Sequence, residues 1–252
     1  MAAKTQKWTL EPTARRVRVE FGGKVIADSQ HVMLMIESPH DLVYYFPRQD
    51  VQMEFLAASD HIKHSGYKGD ATFWHVQVGE KHAENAAWTY PNTNENRPDL
   101  SQHIGFVWNA MDAWYEEDER VYVHPRNPYH RVDTLKSNRH IQVVVDGVTI
   151  ADTHQPYLLF ETGLPTRYYI PQDDVQMQYL AATDTHTRCP YKGEASYWSI
   201  VVSGTTRDDV VWGYVDPIPE SPKIKGLFAF YNEKLDIYVD GVLEEKPRTV
   251  FS

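Results

Sequence analysis

The sequence predicts two mostly β domains in tandem, built from antiparallel sheet with short helices. Three observations carry that expectation. The chain repeats itself, its apolar residues alternate with the short period of a strand, and it is rich in aromatic rings. Aromatics make up 13% of the 252 residues, with 16 Tyr and 7 Trp. Such rings suit a half-buried pleated surface.

The repeat is ungapped from about Arg16 to Asp112. Tyr44 falls on Tyr168 and Trp88 on Trp212, an offset of 124 positions. Over that span roughly three in ten positions are identical, far above chance for a fixed offset. "YYFPRQDVQMEFLAASD" (Tyr44–Asp60) lies over "YYIPQDDVQMQYLAATD" (Tyr168–Asp184). The period is too long for a solenoid, so each copy needs its own core. The expected organisation is a first domain over 14–123, a linker over 124–138 and a second domain over 139–252. The linker assignment rests on "HPRNPYHRVDTLKSNRH", which is polar, holds two prolines and lacks apolar periodicity.

The elements follow in chain order. "RVRVEF" and its counterpart "IQVVVDG" alternate as strands. "DGVTI" puts Gly147 where a tight hairpin turn needs positive φ. "VMLMIES" and "YLLFETG" are short apolar runs closed by turn residues, and "ATFWHVQVG" and "ASYWSIVVSG" alternate aromatic or β-branched residues with polar ones. "LDIYVDGVLEE" is a further hairpin around Asp240-Gly241. A short helix is predicted from Pro47 and from Pro171, with Val51, Phe55 and Leu56 (Val175, Tyr179 and Leu180) on one face. A second helical turn is expected after Pro98 and after Pro222. "YEEDER" (Tyr115–Arg120) reads as a solvated hairpin tip.

Composition narrows the function. Net charge is −10, which argues against nucleic-acid or anionic-membrane partners, because both need a basic face. No apolar run approaches the roughly 18 residues of a membrane span. "MAAKTQKWTL" has no apolar core of a secretory leader. One cysteine forbids an internal disulfide, so the expected setting is cytoplasmic. The duplication predicts either a monomer acting as its own pseudo-dimer or a homodimer.

Three linked blocks carry a resemblance. They are aromatic-x-Pro-x-x-Asp-Val, then Cys-Pro-Tyr-Lys-Gly-x-Ala-x-Tyr-Trp (Cys189–Trp198), then Trp-x-Tyr (Trp212–Tyr214). In that order, and twice, they resemble the domain-of-unknown-function family numbered 427, also labelled a putative nucleotidyltransferase group. The resemblance covers nearly the whole chain and implies a β-tent-like fold, two antiparallel sheets meeting at an angle. Methionine sulfoxide reductase B and the ligand-binding domain of cereblon are of this kind. The four-Cys zinc site of many β-tent domains has no counterpart in a chain with one cysteine. The nucleotidyltransferase label finds neither a Gly-Ser pair with an Asp-x-Asp dyad nor a Gly-rich phosphate loop.

The candidate site centres on "TRCPYKGEASYW" and its relative "KHSGYKGDATFW". Lys68 and Lys192 recur in Tyr-Lys-Gly and could hold an anion or a carbonyl. The alternative is a turn lysine lying over its neighbouring ring. Cys189 stands beside Arg188 and near Lys192, cations that favour a thiolate. Its counterpart is Ser65, so thiol chemistry would belong to one copy, and a buried cysteine acting as a small hydrophobe is the competing reading. Tyr67, Trp74, Trp88 and Tyr90, with Tyr191, Trp198, Trp212 and Tyr214, are candidates to line a cup for a flat ligand. They are equally the large side chains a small β core requires. Asp184 and His61 lie in Asp–His stretches that could serve acid–base chemistry. His61 and His64 alone make a weak metal pair, and no metal site or cofactor is expected. The functional expectation is a small-organic-molecule site, with a cofactor-independent acid/base isomerase, lyase or hydrolase as its catalytic form. A structural or interaction module without chemistry is the other.

Overall fold

The computed structural model describes residues 9–38, 41–95 and 97–252. The first eight residues of "MAAKTQKWTL" lie outside them. The chain divides after Asn127 into two compact units. In the first, the strands are β1 (Thr9–Pro12), β2 (Val17–Phe21), β3 (Lys24–Ser29), β4 (Met33–Ser38), β5 (Asp41–Pro47), β6 (Leu56–Ser65), β7 (Gly69–Val78), β8 (Lys81–Thr93), β9 (His103–Phe106), β10 (Ala113–Glu116) and β11 (Glu119–Val121). They form a seven-stranded sheet, β1-β4-β5-β9-β8-β7-β6, and a four-stranded sheet, β11-β10-β2-β3.

The second unit repeats this strand for strand. Its elements are β12 (Val132–Lys136), β13 (Ile141–Val145), β14 (Val148–Thr153), β15 (Tyr157–Glu161), β16 (Arg167–Ile170), β17 (Leu180–Cys189), β18 (Gly193–Val202), β19 (Thr205–Gly213), β20 (Phe228–Phe230), β21 (Asp236–Val239) and β22 (Val242–Leu243). Its sheets run β12-β15-β16-β20-β19-β18-β17 and β14-β13-β21-β22. All the pairings between named strands are antiparallel. Each unit thus has the two antiparallel sheets expected of it.

The alternation in the sequence sets the faces. β2 and β13 bury every second residue, and those residues meet the inner face of the larger sheet. In the second unit Ile141, Val143 and Ile150 pack with Tyr168, Ile170, Ile200 and Phe230. In the first, Val17, Val19 and Ile26 pack with Tyr44, Phe46, Val76 and Phe106. The larger sheet also buries a second set of side chains. These are Tyr45, Met35, Ala71, Tyr90 and Leu100 in one unit and Tyr169, Tyr197, Trp212, Tyr214 and Ile224 in the other. Period-2 alternation puts the strand residues of these sets on the outer face, away from the main core, and Leu100 and Ile224 pack on them from outside the strands.

The turns follow the glycines. Asp146-Gly147 and Asp240-Gly241 have φ of 50° and 80°, and 52° and 81°. That is the left-handed pair a two-residue hairpin needs.

The structure corrects four expectations. No α-helix starts at Pro47 or Pro171. Two 3-10 turns stand there instead, Arg48–Asp50 and Met53–Phe55, and Gln172–Asp174 and Met177–Tyr179. Val51 and Val175 separate them with extended backbone, because each forms a β-bridge to Ala27 or Ala151. The turn expected after Pro98 is irregular, with Asp99 accepting a hydrogen bond from the Ser101 N–H at 2.8 Å. The one after Pro222 is a 3-10 turn. The segment 124–138 is not all linker, since it contains β12, an edge strand paired with β15. "YEEDER" is a hairpin, but Glu116 is buried and accepts hydrogen bonds from Tyr44 and Arg15, both at 2.6 Å.

Candidate functional site

The Tyr-Lys-Gly triplets occupy the tight turns joining β6 to β7 and β17 to β18. Gly69 and Gly193 have φ of +97° and +106°, which only glycine adopts easily. In the first unit Ser65 caps the turn, its Oγ accepting from the Lys68 N–H at 3.1 Å. Cys189 holds the corresponding place, half-buried and free of disulfide.

Each lysine turns back over the outer face and meets the equivalent glutamate of its own unit. Lys68 donates to Glu37, and Lys192 donates to Glu161. The two pairs differ in burial. The side chains of Lys68 and Glu37 are 14% and 26% exposed, those of Lys192 and Glu161 10% and 5%. Lys68 also lies 5.3 Å from the centre of the Tyr90 ring.

The second unit extends its pair into a chain. His130 Nε2 lies 3.0 Å from Glu161 Oε1, with the His130 side chain only 5% exposed. The imidazole stacks on Tyr191, 4.1 Å between centroids. Burial opposes ionisation of Glu161, but Lys192 and His130 outweigh it and hold its carboxyl below the ordinary range. A carboxylate gripped between an ammonium and an imidazole can relay a proton between them.

The aromatic candidates separate into groups. Trp88 donates its indole N–H to Tyr45, and Trp212 donates to Tyr169, each at 3.2 Å. Tyr90 and Tyr214 share those faces. Burial raises the Tyr214 hydroxyl well above its usual range, with Tyr169 and Cys189 adding to it. Tyr67 lies under Arg97, 3.8 Å from guanidinium to ring centre. Trp74 and Trp198 face the other way, half-buried against the main cores, Trp198 edge-on to Phe228. They belong to the packing between sheets and not to the group around the lysines.

Asp184 and His61 also stand apart. Both are exposed on the edge strands β17 and β6. Asp184 precedes Cys189 by five residues, roughly 17 Å of extended chain. His61 sits edge-on to Phe73. The cations expected to activate Cys189 are committed elsewhere, Arg188 to Glu194 at 2.6 Å and Lys192 to Glu161.

Several groups escaped the sequence reading. Arg167 and Glu233 form a buried bidentate pair, both contacts 2.7 Å. Arg167 lies 5.4 Å from the Trp212 ring and 5.6 Å from that of Tyr231. Its counterpart in the first copy is Val43, so the repeat gave no hint of it. Glu37 and Glu161 were visible in principle, since they recur at the same offset as the lysines. Their pairing depends on sheet order, which spacing does not reveal.

The family model described as a domain of unknown function (DUF427) matches residues 9–117 and again residues 133–241. No curated protein matches the chain.

Proposed function

The chain belongs to the DUF427 family, one copy in each half, and on that premise we propose that the second copy binds a small organic molecule on the outer aromatic face of its larger sheet. Lys192 is the anchor, presented to a carboxylate or carbonyl of the ligand. Tyr191, Trp212 and Tyr214 supply flat surface, and Cys189 lies at the edge. The observation that supports this reading is the buried Lys192–Glu161–His130 chain. Two charged groups and an imidazole under an aromatic face are costly to desolvate and add little stability over apolar packing. The catalytic form of the proposal is acid–base chemistry without a cofactor, an isomerase, lyase or hydrolase. In it Lys192 donates a proton to the ligand and Glu161 and His130 restore it.

Among the described residues no helix is long and apolar enough to cross a membrane. The proposal adds a cytoplasmic setting and no nucleic-acid partner, supported by one unpaired cysteine and a net charge of −10. It adds a chain that acts as a monomer or homodimer, supported by the duplication.

A second reading, a brace without chemistry, is favoured by the near-complete burial of Tyr169 and Tyr214. The two part on one experiment. Benzoate, the simplest aromatic carboxylate, is titrated into the native chain and into Lys192→Met and Lys68→Met, followed by ligand-observed NMR. The binding reading expects saturable binding that Lys192→Met abolishes and Lys68→Met preserves. If the variants differ from the native chain in stability alone, the brace stands.

A further inference from the structure

The outer surface of the smaller sheet in the second unit holds a group unrelated to the lysine site. We propose that His140, Asp152 and His154 form a site for a borderline divalent transition ion of the zinc class. His140 directly precedes β13, Asp152 is the penultimate residue of β14, and His154 directly follows that strand. The register pairs Ile141 with Thr153 and Gln142 with Asp152. Continued by one residue, it sets His140 opposite His154. Ile141 and Thr153 are buried, so alternation turns His140, Gln142, Asp152 and His154 to the solvent face together.

The geometry is close to a ligand set. One donor atom from each of the three side chains lies within 4.8 Å of the others. His140 Nε2 lies 2.7 Å from Asp152 Oδ1, and the two imidazoles stack with centroids 4.1 Å apart and planes 15° from parallel. Ligands at zinc–nitrogen and zinc–oxygen distances of about 2.0–2.1 Å are separated by roughly 3.3 Å around a tetrahedral ion. To hold one ion the three donors close from within 4.8 Å to that spacing, and the two rings turn out of their stack so that their in-plane lone pairs converge.

Two imidazoles and one carboxylate suit a borderline metal better than a hard one. The fourth position opens to water, because Asp152 and His154 are exposed. The frame is already supported. The Gln142 amide donates to Asp152 Oδ2 at 2.9 Å, the outer contact that orients a ligating carboxylate. Asp240 receives the His140 N–H at 2.9 Å and fixes its backbone.

The first unit is a built-in comparison. At the same three positions it has Arg16, Asp28 and Gln30. There a guanidinium fork grips the carboxylate, Arg16 Nε 2.7 Å from Asp28 Oδ1 and its terminal nitrogen 2.5 Å from Oδ2. The same carboxylate on the same hairpin is neutralised by a fixed cation in one unit and faced by two imidazoles in the other. Neutral imidazoles supply lone pairs to a metal, and a guanidinium never does.

The test uses the full chain, stripped with a chelator and titrated with Zn²⁺ by calorimetry. The native chain is expected to take up one ion tightly. His140→Arg with His154→Gln recreates the first unit's arrangement and is expected to weaken that site by at least about tenfold, the scale set by losing even an outer-shell partner. His154→Gln alone serves if the double variant does not fold, with the same expected loss. Paramagnetic broadening of the His140 and His154 ring protons by Cu²⁺ must localise the site to these rings. Uptake unchanged in the variants, broadening elsewhere, or no uptake by the native chain would overturn the proposal. Benzoate binding at Lys192 is read separately, so either site can fail without the other.

Discussion

Lys68 and Lys192 hold one position in two copies, yet they stand in different electrostatic surroundings. Glu161 is nearly sealed off, with a 5% exposed side chain, and Glu37 keeps 26%. Breaking a buried pair from one side strands the other charge, so Lys192→Met is expected to destabilise the chain by about 3 kcal/mol. Lys68→Met leaves a glutamate that water can reach and should cost about 1 kcal/mol or less. Urea unfolding of the two variants gives the comparison, and equal losses would contradict the burial argument. Acid tests the same carboxylate. The folded chain holds Glu161 below its ordinary value of 4.5, so its contribution is complete above that pH. It is lost as pH falls from there through the lower folded value. Unfolding midpoints measured from pH 6 down to pH 3 should drop more steeply for the native chain than for Glu161→Gln.

The hairpin that carries each lysine depends on its glycine. A Cβ on Gly69 would stand 2.6 Å from the Asn92 carbonyl oxygen, and one on Gly193 would meet its nearest atom at 3.3 Å. Both residues sit at positive φ. Gly69→Ala therefore combines backbone strain with a clash against main chain and should cost about 2–3 kcal/mol, with Gly193→Ala nearer the strain alone at about 1–2. Thermal unfolding of the pair would show the order, and a reversal would put the clash in doubt. Elements of this kind were legible in the sequence because their chemistry is local. An Asp-Gly turn declares its positive φ, and "IQVVV" declares its buried face. The helix expected at Pro47 does not form because Val51 is claimed by a bridge to Ala27 on another strand. The strand β12 leaves little trace in the sequence because an edge strand of sequence VDTLK buries little and so shows little alternation. The site was legible by half. Duplication singled out the lysines, but their glutamates arrive across the sheet, and His130 comes from a segment read as linker. His140 and His154 are symmetric about the β13–β14 hairpin, a signal that counting outward from Gly147 would have caught.

At the scale of the whole molecule, duplication has given each half a complete set of parts. Among the described residues, both units contain eleven strands in the same order, two sheets and their own buried clusters. A unit of about 125 residues is large enough to bury a self-sufficient core. Residues 1–127 and 128–252, expressed apart, are each expected to give dispersed NMR spectra and one cooperative urea transition. The boundary matters more than the cut itself. A second half that begins at 139, where composition alone would place the domain, loses β12. That leaves β15 as an unprotected edge, and β15 exposes Phe160 as well. It also loses His130, so Glu161 keeps only Lys192. The 139–252 fragment should therefore unfold at clearly lower urea than 128–252 and aggregate more readily. Its histidine pair flanking the β13–β14 hairpin is left intact, so Zn²⁺ uptake should survive in whatever fraction folds. Equal stability of the two fragments would mean that β12 and His130 are accessories, and the Lys192–Glu161–His130 chain would lose its claim to be the centre of the site.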